Sequence, residues 1–435
     1  MNPSLSAIRA RISRSPLVRR YLIGAGWSIA GATALSGISL LSMMFVARIL
    51  GNKIYGEFVL IQSTIVMVGV LSGASIGATA TRYVAELKSH DRARLSRILT
   101  LTSRSVAILG VISTAVLFLL SKVIASAAFD LPELAYPLSI AAISIAFSSL
   151  DGYYKGVLIG LEAMHALALG SILGAAAGVP IMLMAASAYG LNGVAGAMVA
   201  SAVIQASISR FQLLEHSRRH SVSYNAPGCT KEWRVLRDFA LPALFAGLLV
   251  APAHWVCHTL LANTPNGFAE LAVLGVATQW FNAIVFLPST AGRVVMPILA
   301  ERLAAGEKAQ ALKVLKAAIL SGLMVGVPIA LLVSLASPYV MAAYGDRFRE
   351  GWPSLAVVSI NAILVVGTAP IGQILAAKSR MWIAAAMNLG WAAIYIGLAV
   401  ELVRFGALGI VVSAGAAYLA HSIWVASYAV GLSRQ

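Results

Sequence analysis

Charge is scarce in this sequence. Only 11% of its 435 residues are Asp, Glu, Lys or Arg, against about 25% in a soluble globular domain. A chain this long and this poor in charge cannot cover a water-facing surface, so an ordinary soluble domain is excluded. A disordered chain is excluded as well, because 59% of the residues are hydrophobic and disorder requires low hydrophobicity. Acid is scarcer than base: 16 Asp and Glu stand against 32 Lys and Arg, a formal net charge of +16. Cysteine is almost missing. Cys229 and Cys257 make no disulfide framework. The signatures of an ATP motor or a metalloprotease are missing too. Gly51 and Gly56 have P-loop spacing, but Glu57 follows where Lys is required, and no His-Glu-x-x-His occurs. Gly73-Ala74-Ser75-Ile76-Gly77 spells a nucleophile elbow, yet it lies in an apolar run without the strand that motif needs.

What is present is apolar sequence in long runs. A helix needs about 20 apolar residues to cross the hydrocarbon core. Twelve such runs occur, at 22–46, 57–80, 101–121, 136–157, 165–187, 191–213, 239–261, 271–293, 314–336, 351–373, 381–402 and 407–430. They are continuous rather than alternating, which selects helices over a β-barrel. The expectation is therefore an all-α integral membrane protein of twelve transmembrane helices, with no room for a soluble catalytic domain. With the N-terminus placed in the cytoplasm, 26 of the 32 basic residues fall on the inner side. The outer six are Arg48, Lys53, Lys122, Arg347, Arg349 and Arg404, while acids split nine inside and seven outside. This is a Lys/Arg bias of the positive-inside kind, and it predicts both termini in the cytoplasm. The basic arm at 1–21 precedes an apolar run too long for a signal-peptide core, so it reads as the flank of an uncleaved first span.

The sequence repeats itself. Gly77 and Glu86 correspond to Gly292 and Glu301 at an offset of 215; Gly190 and Gly193 to Gly406 and Gly409, and Gly156 to Gly372, at 216. Parallel repeats of six helices each are expected, in a first lobe at 22–213 and a second at 239–430. A cytoplasmic linker at 214–238 joins them, and a tail at 431–435 follows. Two equivalent lobes imply a cleft that rocking can open to either side, which favours a transporter over an enzyme. Gly69, Gly73 and Gly77, and likewise Gly170, Gly174 and Gly178, recur every four residues. Such a stripe allows close helix packing or marks a hinge. Prolines at 180, 242, 252, 288, 328 and 370 predict kinked helices.

Ionisable residues within apolar spans are costly and point to function. Arg48, Arg82 and Arg293 end the first, second and eighth runs, Arg104 lies near the start of the third, and Asp151 and Lys155 are four apart on the fourth. The bland reading of a span-end arginine is snorkelling to the interface. Asp151 with Lys155 is a neutralised structural pair or an ion-coupling site. His254, Cys257 and His258 cluster in the seventh run but read as packing residues, since a metal needs three or four convergent ligands. The candidate substrate-binding residues are Arg48, Arg82, Lys155 and Arg293, with Asp151 as the candidate for ion coupling. No catalytic residue, metal or cofactor is expected. Cations without matching acids predict an anionic ligand, and arginine suits phosphate.

Ala47-Arg48-Ile49-Leu50-Gly51 followed by Tyr55-Gly56 resembles the signature after the first helix of polysaccharide repeat-unit flippases. Gly77, Arg82 and Glu86 resemble the end of their second helix. Gly-Val-Leu-Ile-Gly-Leu-Glu at 156–162, Tyr189-Gly190-Leu191-Asn192-Gly193 and Leu241-Pro242 are similar to further motifs of that group. It is part of the multidrug/oligosaccharidyl-lipid/polysaccharide exporter superfamily. The resemblance implies a MATE-like fold of two six-helix bundles in a V around a cationic cavity. It also implies a substrate, an undecaprenyl-pyrophosphate-linked oligosaccharide moved from the cytoplasmic to the periplasmic leaflet of a bacterial inner membrane. The implied partners are that lipid, the bilayer and other polysaccharide-assembly membrane proteins, with no nucleic acid. One departure is Glu270-Leu271, where relatives often have Glu-Leu-Gly. The rival readings are a MATE-type drug/cation antiporter and a membrane glycan polymerase or acyltransferase. The short outer loops lack the catalytic His/Asp set such enzymes carry.

Overall fold

The computed structural model describes residues 16–88, 90–219, 224–241, 244, 248–304, 307–377 and 381–434. Within these, side chains are described outside 16–35, 74, 219, 239, 287, 289–304, 308–309, 373–377, 381 and 429–434. In the described residues the chain is helical almost throughout. Helix α1 (Pro16–Gly69) passes through a π-helical turn (Val70–Ala74) into α2 (Ser75–Leu87). Then come α3 (Arg92–Ala127), α4 (Ala135–Ala142), α5 (Ser144–Gly160) and α6 (Met164–Arg219). After a connector, a short α7 (Trp233–Val235) and a second π-helical segment (Leu236–Ala240) precede α8 (Val250–Ala262) and α9 (Gly267–Ala304). The chain ends with α10 (Lys308–Tyr344), α11 (Trp352–Ala377), α12 (Met381–Leu402) and α13 (Gly406–Arg434).

The all-α expectation matches this architecture, but the expectation of twelve transmembrane helices in two six-helix bundles is corrected. Among the described residues, eight stretches are long and apolar enough to cross a membrane. Three of them swallow pairs of expected spans: Ser36–Gly73, Met164–Arg218 and Trp382–Tyr428. The reason lies in the connectors, which the apolar-run count treats as loops. In α1 and α6 helical geometry continues up to a single residue, Gly51 at φ 74° and Gly190 at φ 55°, and resumes beyond it. The expected run at 239–261 is not among the eight; its described part includes the π-helical segment and the 13-residue α8.

The backbone carries the internal repeat more plainly than the side chains do. Positive φ occurs at Gly51 and Asn266, at Asp130 and Gly345, and at Gly190 and Gly406, offsets of 215, 215 and 216 residues. A left-handed residue is sterically costly for most side chains. Its recurrence at one spacing means that the two halves turn their chains in the same places.

Between lipid-embedded helices the hydrophobic effect gives little attraction, so packing relies on close approach and hydrogen bonds. The glycine stripes supply that approach. Beyond Gly190, α6 returns along itself, and Gly170, Gly174 and Gly178 lie against Gln212, Gln205 and Ser201. Gly73 rests on Ser149, and Gly77 and Gly156 press together so tightly that a Cβ on Gly156 would overlap the Gly77 carbonyl. Thr81 bridges the same contact, donating to the carbonyls of Gly156 at 2.7 Å and Gly77 at 3.0 Å. The π-helical turn falls inside the first stripe, where the Ser72 and Ser149 hydroxyls sit 2.7 Å apart.

The buried apolar residues form three groups whose membership gives the V. One large core draws on both halves, joining Val46, Tyr55, Phe58 and Ile61 to Leu261, Leu271, Leu274 and Phe348. A second core, with Ile76, Val84, Leu95 and Tyr153, belongs to the first half and its connector. A third, with Ala311, Leu315, Ile371, Met387 and Val425, belongs to the second half alone. Among the described side chains, the halves thus share a core at one end and have separate cores towards the other. Gly156→Ala should overpack the α2–α5 contact at a cost of about 1–3 kcal/mol. The purified protein in detergent should melt several degrees lower; an unchanged Tm would show that this contact is loose.

Candidate functional site

Among the described residues, four hydrogen bonds cross between the halves at the joined end. Arg48 Nε donates to the Ala343 carbonyl at 2.6 Å. Gln279 Nε2 donates to the buried Tyr55 hydroxyl at 2.7 Å. Trp255 Nε1 donates to Thr64 Oγ1 at 3.0 Å, and Asn263 Nδ2 to the Ala128 carbonyl at 2.8 Å. Aromatic rings fill the space between these bonds. Tyr55 meets Phe348 edge-on at 6.0 Å and Phe129 meets Trp255 at 6.3 Å. Gly56 lies so close to the Phe268 carbonyl that no side chain would fit there. This is a seal, made of short-range contacts that rigid-body separation of the halves would break together.

The repeat-related partner of Tyr55 does different work. Glu270 accepts from the Ala407 amide at 2.8 Å and fills the space beside Gly406, whose φ is 65°. The departure noted in the sequence at Glu270-Leu271 therefore has a local reason: one half uses the position to reach across, the other to cap its own turn.

The opposite end carries the cations. Arg82 is exposed on α2, with its guanidinium 5.8 Å from the Tyr83 ring centre. Lys88 pairs with Glu162 at 2.6 Å. Arg94 and Arg97 both reach the half-buried Glu232 at 3.2 Å, which fastens the connector to α3. Arg104 donates to Asn225 at 3.2 Å, and the Ala226 amide to Thr100 at 3.0 Å. Arg104 thus holds the connector.

The candidate residues do not form one cluster. Arg48 sits at the seal and bonds across it. Arg82 and Lys155 lie on neighbouring packed helices, because Thr81 bonds to Gly156. Lys155 Nζ is 2.8 Å from Asp151, whose other oxygen accepts from Ser209 at 2.6 Å. Asp151 is therefore a neutralised and hydrogen-bonded member of the α5–α6 contact. Arg293 is a residue of α9, and its side chain lies outside the described residues. Among the described residues, no group of three or more His, Cys, Asp or Glu is arranged to hold a metal. The cross-half partners Gln279, Trp255 and Asn263 were not predicted. Gln279 and Trp255 are neutral polar residues in apolar runs and Asn263 follows the end of one, and only the fold shows that they reach across.

Helices of this apolarity, in two repeat-related halves joined at one end, define a multi-pass membrane transporter. The chain belongs to the polysaccharide biosynthesis protein family, whose model matches residues 22–303. Membership places it among transporters rather than enzymes. It is 25% identical over 93% of its length to the EPS I polysaccharide export inner membrane protein EpsE of Ralstonia nicotianae, covering 93% of that protein. A second match, to EpsE of Ralstonia solanacearum, is 30% identical but spans 43% of this chain and 44% of the relative. The fold is that of the MATE transporters. An inward-facing multidrug resistance MATE family transporter of the MOP superfamily superposes with a TM-score of 0.74 at 13% identity, over 94% of this chain and 99% of the other. The outward-facing form gives 0.66, over 98% of each chain. A MOP superfamily transporter from Pyrococcus furiosus gives 0.70 at 13% identity, over 95% and 96%.

The Asp151–Lys155 pair is partly shielded, with side chains 15% and 31% exposed. A double-mutant cycle with Asp151→Asn and Lys155→Met should show coupling on the order of 1 kcal/mol in stability. Strict additivity would mean that the two charges do not support each other.

Proposed function

We propose that this chain is a flippase that moves an undecaprenyl-pyrophosphate-linked oligosaccharide from the cytoplasmic to the periplasmic leaflet of a bacterial inner membrane, by alternating access. The observation that carries the reading is the polarity of the seal. The halves are joined at the end bearing Arg48 and Phe348 and have separate cores towards the end bearing Arg82, Lys88, Arg94 and Arg97. The positive-inside rule puts the Lys/Arg-rich end in the cytoplasm, with both termini there. On that orientation the structure is sealed to the periplasm and open inward, ready to receive a cytoplasmic substrate. The higher TM-score to an inward-facing transporter agrees with this. The names of the Ralstonia relatives, both polysaccharide export inner membrane proteins, support the cargo and the membrane.

Chemistry then assigns roles. The prenyl tail stays in lipid while the head group enters the cleft. Arg82, and Arg293 from the second half, meet the pyrophosphate, for which a guanidinium offers paired donors. Lys155, held by Asp151, is a further donor on the helix packed against that of Arg82. Arg48 belongs to the exit, where its bond to Ala343 must break for release. An inside-negative potential favours outward movement of anions by about 2.3 kcal/mol per charge per 100 mV, so two phosphate charges can drive export without ATP.

In cells carrying Arg82→Ala or Arg293→Ala, surface glycan export should fall at least about tenfold, the loss expected when about 1.4 kcal/mol of head-group recognition is removed. The membrane level of the protein should stay normal. Full export by both variants would end the pyrophosphate role. Saturable binding of cationic dyes by the purified protein, unaffected by lipid-linked sugar, would favour a cation antiporter instead.

A further inference from the structure

Helix α8 is held on two sides. Its Trp255 belongs to the seal, bonded to Thr64 and packed on Phe129. Its neighbours His254, Cys257 and His258 are set into the second half. The His254 ring lies 5.5 Å from Trp391, 5.3 Å from Tyr395 and 6.3 Å from His258. His258 is 8% exposed. Among the described residues its Nδ1 has no hydrogen-bond partner, nor do Trp391 Nε1 and the adjacent Thr259 Oγ1. The groups around the pair are neutral. Cys257 stands on the same helix, Tyr395 comes from α12, and Tyr418 of α13 packs on Trp391. Phe281 of α9 stacks on Tyr418, and α1 presents Thr64 to Trp255. Among the described residues no carboxylate, lysine or arginine bears on either histidine.

Buried polar atoms in native proteins are nearly always paired, so each orphan needs a reason. An ionisable side chain inside a membrane protein is a functional site by default, and imidazole is the side chain that titrates near neutrality. We propose that His254 and His258 form a proton-binding site linked to the seal, neutral while the halves are joined at that end and protonated when it opens. The proposal rests on the alternating-access part of the reading above. With the seal closed, an imidazolium here would be a buried charge without a counter-ion, which is strongly disfavoured. When the second half swings away from Thr64, α8 goes with it and water reaches the pair. A proton from that water then adds to the ring nitrogen that carries the lone pair and returns to water before resealing. A state that binds more protons gains population as pH falls, so acid on that side favours opening. Trp255 lies next to His254 and three residues before His258, so the site and the seal share one rigid element.

The test uses the full chain, spin-labelled at Lys53→Cys and Glu350→Cys, two exposed positions on either side of the seal. The native Cys229 and Cys257 are buried and remain in place. Between pH 8 and pH 5 the population at the longer inter-label distance should rise at least about fivefold; one linked proton permits up to about tenfold per pH unit. His258→Gln should abolish the rise while keeping the pH 8 distance. His254→Gln is the second variant if the first does not fold, and His421→Gln should respond as the parent does. A parent without pH response, or a full response in His258→Gln, would overturn the proposal and leave the glycan-export reading standing. Loss of that reading alone would appear as normal glycan export in the arginine variants with the pH response intact.

Discussion

Inside a bilayer a hydrogen-bonding group that loses its partner has no water to turn to. The helices and the join between the halves answer to that constraint. The chain is helical nearly throughout because helices satisfy their own backbones. Among the described residues, four polar side chains find partners across the join, all at one end. Opening that end is feasible only if the released groups are met by water or substrate. In this structure the seal is closed, with each of those four donors paired across it.

The two halves turn their backbones in corresponding places and differ in side-chain roles where they meet. Turn geometry recurs at Gly51 and Asn266, at Asp130 and Gly345, and at Gly190 and Gly406. Side-chain roles do not recur. Tyr55 reaches into the other half, while its counterpart Glu270 caps a turn of its own. Charge is divided along the other axis. Arg48 lies at the seal, whereas Arg82, Lys88, Arg94 and Arg97 lie at the other end. Part of that positive charge fastens the connector through Glu232. The share left for a ligand is smaller than the net charge suggests.

Much of this was legible in the sequence because periodicity and spacing are local properties. Apolar runs gave helices, the 215-residue offset gave the repeat, and the glycines at every fourth position gave the close contacts now seen against Ser149, Gln205 and Gln212. The count of separate spans was not legible. A one-residue reversal at Gly51 or Gly190 leaves the helix continuous on both sides, and sequence shows only a short gap. The seal was not legible either. Gln279 and Trp255 look like ordinary polar interruptions until the fold brings Tyr55 and Thr64 to them from about 200 residues away. Arg48 was picked out for its charge, and its structural partner is a backbone carbonyl at the seal rather than a neighbouring cation.

The central claim is that the joined end must part for transport. It is tested most directly by holding it shut. Thr64→Cys and Trp255→Cys place two thiols across the seal, and a short cleavable bifunctional reagent can join them in the full chain reconstituted in vesicles with a lipid-linked pyrophosphate oligosaccharide. Cross-linking should stop transfer of the oligosaccharide between leaflets, and cleaving the linker should restore it. Transfer at the uncross-linked rate in a fully cross-linked sample would contradict the account.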